Sequence, residues 1–270
     1  MSNDDPLVFP NQEGAAHHHT FFGNTSVNYK SDLNSFGRVG NSTCAGGIMN
    51  RSAYWVPSMI NTEHSEPIAP NGNVLVYYKN GAIDGKLIKA PPKGLRMIAG
   101  DMTKKDNSYY SYAGFTCHPG ANSKRSTWPR SQEIPTGANC QAGDDLMFSV
   151  FFPQCWDGKN LDSPNHKDHM AYAQNLWPVK SGYACPATHP IAIPEITVNV
   201  HHTILPHDNL TKWRLSSDNY PSNGKNAGYS AHSDYVEGWD RPILEDIIKN
   251  CINAKKDCHA HLLGDGRLFY

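Results

Sequence analysis

The chain is predicted to be mainly β, a β-sandwich or jelly-roll-like single domain over residues 1–270 with long loops, disulfides and one C-terminal helix. Short runs of β-branched and aromatic residues bounded by turn residues predict the strands. A lone amphipathic pattern near the end predicts the helix, and dispersed cysteines predict the cross-links.

Taken in order, His17-His18-His19 lead directly into Thr20-Phe21-Phe22-Gly23, and extended backbone there turns His17 and His19 to one face. Asn73–Tyr78 is a strand running into the turn Lys79-Asn80-Gly81, and Arg96–Ala99 is an apolar strand that ends at Asp101. Leu146–Phe152 and Ile191–Val200 are further strands, with Pro194 expected to push the second to a sheet edge or a bulge. Asp240 can cap a helix with Pro242 in its first turn and Ile243, Leu244, Ile247, Ile248 and Cys251 on one face. The irregular intervals 101–145, 153–190 and 202–238 are rich in Trp, Tyr, His and Cys, and are expected to build the active face.

Charged residues are 18% of the chain, below the roughly 25% of an average soluble domain. A net charge of -1 gives no basic footprint for nucleic acid, and no apolar run approaches the ~20 residues of a membrane span. Seven cysteines favour an oxidising, extracellular compartment. Cys117 with Cys140, Cys155 with Cys185 and Cys251 with Cys258 are plausibly spaced pairs that leave Cys44 over, although six cysteines allow fifteen connectivities. The first residues carry no visible secretion signal. Asn24, Asn41, Asn50 and Asn209 open glycosylation sequons.

The densest chemistry lies at 151–162, where Trp156 and Asp157 follow Cys155. An indole face beside carboxylates suits a sugar, and a disulfide-pinned turn in which Asp157 holds backbone amides is the alternative. His166 and His169 stand three apart after Pro164, while His189 is held between Thr188 and Pro190, where rigidity suits a ligand or a base. His232 and Asp234 alternate onto one face ahead of Trp239, able to bind metal or move protons. Asp101 is a candidate acid or a turn residue.

The strings HHHTFFGN, SAYWVPSM, YYKNG, PPKGLRMIAGD, FFPQCWDGKNLDSPNHKDHMAY, CPATHPIAIPEI and YSAHSDYVEGWD together resemble a secreted fungal and bacterial family known as domain of unknown function 1996 (DUF1996). The resemblance implies export and an association with polysaccharide or cell wall. It supplies no reaction.

Three functions follow as expectations. The first is an extracellular carbohydrate-active enzyme, a glycoside hydrolase on a cell-wall or environmental polysaccharide, with two of Asp101, Asp157 and Asp234 as acid and base or nucleophile. His189 or His232 would relay protons, and Trp156, Trp239, His166 and His169 would bind substrate. The second is a metal-dependent hydrolase or oxidase with one divalent ion, zinc, copper or iron, on His17, His19 and one or two of His189, His232 and Asp234. The third is a non-catalytic glycan-binding wall protein. In each, the expected partner is a polysaccharide or oligosaccharide, with neither nucleic acid nor membrane.

Overall fold

A computed structural model describes residues 1–81, 83, 87–175, 182–221, 227–258 and 262–268. Two four-stranded antiparallel sheets carry the architecture. The first is built from β1 (His19–Gly23), β2 (Ala53–Pro57), β4 (Arg96–Gly100) and β8 (His232–Val236), in the order β1-β2-β8-β4. The second is built from β3 (Val74–Lys79), β5 (Ala113–His118), β6 (Asp145–Phe151) and β7 (Glu195–Thr203), in the order β3-β7-β6-β5.

Alternation of side chains explains how the two sheets meet. In the second sheet, register sets Val198 beside Val150 and Val76, and Val200 beside Phe148, so one face of every strand is apolar. In the first sheet Tyr54, Val56, Met97, Ala99 and Tyr235 turn to the same core. Both inward faces therefore share one buried cluster, in which each large side chain contributes roughly 1.5–3 kcal/mol. Smaller ladders surround this sandwich, such as Cys155–Trp156 between Met170–Ala171 and Ile191–Ala192.

The opposite face of the first sheet is also covered. Trp55, Ile98 and Val236 pack there against Leu7 and Phe36, from the segments before and after β1. A face closed on both sides can hide polar groups, and this one does.

Pro194 does not place its segment at an edge. It falls in the break between Ile191–Ala192 and β7, and β7 pairs with β3 on one side and β6 on the other. The missing N–H is thus accommodated between strands rather than within a ladder.

The helix α1 (Arg241–Ile247) is capped by Asp240, whose side chain accepts from the Ile243 amide, and it continues as a π-turn over Ile248–Ile252. Leu244, Ile248 and Cys251 are its buried residues. Disulfides join Cys117 to Cys140, Cys155 to Cys185 and Cys251 to Cys258, and Cys44 is a free thiol. Among the described residues, no helix is long and apolar enough to cross a membrane. Of the sequon asparagines, Asn24 and Asn50 are buried, and burial closes both to a glycan.

Candidate metal centre

The first sheet places its histidines by register. Trp55 pairs with Asp234, Asp234 with Ile98 and His232 with Gly100, so His232 and Asp234 emerge on the outer face. His19 opens β1 on that face, two residues before Phe21, whose ring lies 5.4 Å from Trp55. The N-terminal segment folds back beneath them: Ser2 and His19 exchange backbone hydrogen bonds of 3.0 and 2.7 Å. That fold-back brings His17 over the sheet, its ring centroid 4.2 Å from His19 and 5.0 Å from His232.

One nitrogen each of His17, His19 and His232 can be chosen so that all three lie within 4.8 Å of one another. The tautomers of two follow from hydrogen bonding. His19 Nδ1 donates to the carbonyl of Asp4 at 3.0 Å, and His232 Nδ1 donates to the carbonyl of Ser230 at 2.7 Å. A carbonyl only accepts, so each Nδ1 carries the proton and each Nε2 presents a lone pair. The Nε2 atoms of His17, His19 and His232 are all buried with no hydrogen-bond partner. Leaving polar atoms so costs about 1–3 kcal/mol apiece.

Burial pushes the basicity of all three rings down, His17 to about 4 and His232 to about 3, and each is lowered further by a neighbouring histidine. At neutral pH they are uncharged imidazoles, the form that binds a metal. Asp234 lies just outside the cluster, with Oδ2 4.0 Å from His232 Nε2 and neither carboxylate oxygen hydrogen-bonded. Burial, then the charge of Asp5, holds its carboxyl well above the usual range, while the Lys167 ammonium opposes them. A cation between the rings would reverse that balance and ionise Asp234. Three neutral imidazoles with an adjacent carboxyl suit zinc, copper or iron.

The glycine at position 100 is needed for this arrangement. Its φ is +85°, and a Cβ there would lie 2.3 Å from the Ala231 carbonyl oxygen, beside His232.

Other sequence candidates have different surroundings. Asp157 accepts from the Lys159 and Asn160 amides at 2.8 and 2.9 Å and from the Asn160 side chain. Burial pushes its carboxyl pKa up, but these hydrogen bonds outweigh burial and hold it below the usual carboxylate value. Asp101 accepts from the backbone and hydroxyl of Thr103. His169 bonds Ser163 through one nitrogen and the Arg96 carbonyl through the other. His189 likewise bonds Thr188 and the Asp168 carbonyl. His166 pairs with Asp162 at 2.7 Å, with backbone φ of +56°. Trp239 is buried against α1 and donates to the Tyr78 hydroxyl, and the Trp156 indole donates to the Asn160 carbonyl.

The structure therefore brings together His17, His19, His232 and Asp234, gathers Trp156, Asp157, His169 and His189 around the ladder of Cys155–Trp156, and leaves Trp239 packed against α1. Two neighbours went unnoticed in the sequence. Asp5 is buried beneath the N-terminal segment, its Oδ1 accepting from the amides of Leu7 and Val8. Lys167 donates to the Gly100 carbonyl at 2.6 Å. Its position between His166 and His169 was the only available signal for Lys167, and Asp5 had none.

The family description "Domain of unknown function (DUF1996)" matches residues 5–239. The chain belongs to the DUF1996 family. The matched span includes all four residues of the cluster, so the centre lies within the DUF1996 domain, and α1 begins just beyond it. No curated protein and no solved structure matches this DUF1996 chain.

Proposed function

We propose that this DUF1996 protein is a secreted metal-dependent hydrolase whose ion is held by His17, His19 and His232. The observation that carries this reading is the convergence of unpartnered ring nitrogens in a buried site, with two tautomers already set by backbone carbonyls. Lone pairs gathered without a donor repel one another, and an electron-pair acceptor removes that cost. Zinc bonds of about 2.0–2.1 Å in tetrahedral array need nitrogens about 3.3 Å apart, so binding draws the rings together.

Three protein ligands leave a fourth position for water, whose pKa a zinc ion lowers to about 7. With an ion held there, Asp234 would be ionised and would lie next to the site as a proton acceptor. Three disulfides support export. The glycosidase reading built on a pair of acids draws less support, because Asp101 and Asp157 direct their carboxylates into their own turns.

Elemental analysis of the undialysed protein tests the proposal. Zinc near one equivalent is expected, with loss in the His17→Ala/His19→Ala double variant and in His232→Ala. Copper or iron at the same stoichiometry would keep the centre and replace hydrolysis with oxidation. A protein that holds none of the three, even after incubation with each, overturns the reading.

A further inference from the structure

The loop from β4 to β5 leaves the metal centre at Gly100 and returns as Tyr109-Tyr110-Ser111-Tyr112. Between this loop and the segment 167–172 is an open cleft of about 240 Å³. Its floor is the end of β4, where Gly100 stands opposite His232. The cleft is lined by the rings of Tyr109, Tyr110 and Tyr112, which are 49%, 50% and 39% exposed, together with Lys167 and Tyr172.

These tyrosines are fixed rather than loose. Tyr112 sits at φ +58°, a region that costs a bulky residue on the order of 1–3 kcal/mol. Its carbonyl accepts from the Phe151 amide at 2.9 Å, and its ring lies flat on Tyr172 at 3.6 Å with an 8° angle. Tyr172 is itself anchored by donating to the Phe151 carbonyl at 2.7 Å. Tyr110 meets Tyr112 edge-on at 5.2 Å and carries the Arg130 guanidinium 4.8 Å from its centroid. Lys104 lies 4.7 Å over the Tyr109 ring and donates to the Tyr109 carbonyl. The three rings are thus partly exposed and held in place by these contacts.

We infer that this tyrosine cleft is the substrate subsite of the metal centre and that it binds a pyranose chain. The C–H faces of a sugar ring stack on rigid tyrosines, and Lys167, which lines the cleft, offers its hydroxyls a polar partner. An open cleft below the roughly 300–1,000 Å³ of an enclosed small-molecule pocket suits a polymer crossing the surface. Gly100 lines the cleft and pairs with His232, so the cleft adjoins the strand that carries that ligand. The inference rests on the hydrolase reading, since it names what that centre acts on.

The test is affinity electrophoresis of the full chain, metal as purified, in native gels holding hydroxyethylcellulose, laminarin, xylan, glycol chitin or galactomannan. Retardation by at least one polymer is expected. Tyr109→Ala and Tyr112→Ala should each weaken it at least fivefold with unchanged metal content, while Tyr77→Ala on the far sheet retains it. If Tyr112→Ala unfolds, Tyr109→Ala decides. No retardation by any polymer, or full retardation of a folded Tyr109→Ala protein, overturns the inference. A metal-bound protein that ignores all five glycans sinks the cleft and spares the metal, whereas a metal-free protein held through Tyr109 does the reverse.

Discussion

Nε2 of His232 lies 4.0 Å from Oδ2 of Asp234, and neither atom has a hydrogen-bond partner although both side chains are fully buried. Two unsatisfied groups at that separation do not form a direct bond, but both can face an ion. Asp234→Asn keeps shape and removes the charge, so metal affinity should fall about 10–100-fold with the fold retained. Competition against a chromogenic chelator measures this. Unchanged affinity would detach Asp234 from the centre.

Removing the ion should destabilise the chain by mass action. Free metal at about 100 times Kd adds roughly 2.7 kcal/mol, or about 5–10 °C in Tm for a chain of this size. Calorimetry with and without chelator reads the difference. Hydrogen exchange should show the greatest loss of protection over residues 2–19, which supply two of the ligands. A uniform loss, or none, would contradict the placement of His17 and His19.

The Cys155–Cys185 bridge spans 30 residues and ties the Cys155–Trp156 ladder to the segment before Ile191. By loop-closure entropy, Cys155→Ser with Cys185→Ser should cost about 3–4 kcal/mol. Denaturant midpoints measure it, and a loss below about 1 kcal/mol would show that the unfolded chain gains little freedom there.

Glu237 predicts a pH dependence. Burial raises its carboxyl to about 7, against opposing hydrogen bonds from the Gly94 and Trp239 amides. Its folded value exceeds the unfolded value of 4.5, so its contribution is complete below about 4.5 and is lost as pH rises towards 7. Glu237→Gln should remove a pH-dependent term on the order of 3 kcal/mol over that window. Parallel stability curves for parent and variant would refute it.

Much of the β architecture was legible because its signals are local. Val74–Lys79 alternates as a half-buried strand, Asp240 and Pro242 mark the start of α1, and the cysteine pairs suggested by spacing are those that form. The histidine cluster was half legible. His17 and His19 share a face by period, and His232 with Asp234 by the same rule, but only the register of β1, β2 and β8 joins the two pairs. Asp157 shows the opposite case: a carboxylate beside a tryptophan reads as chemistry, whereas its geometry is that of a turn acceptor. The tyrosine cleft left little local trace, since Tyr112 and Tyr172 meet through tertiary packing alone.

β1 is the edge strand of its sheet, paired with β2 along its length and with Ser2 at His19, while His232 lies near the other end of the chain. An ion shared by those two rings closes a loop of 213 residues, the difference between 232 and 19. Loop-closure entropy values such a tie at about 5 kcal/mol, above that of any of the three sulfur bridges. The proposed cofactor would then double as the longest staple in the molecule, and its loss would unzip the sandwich from its first strand.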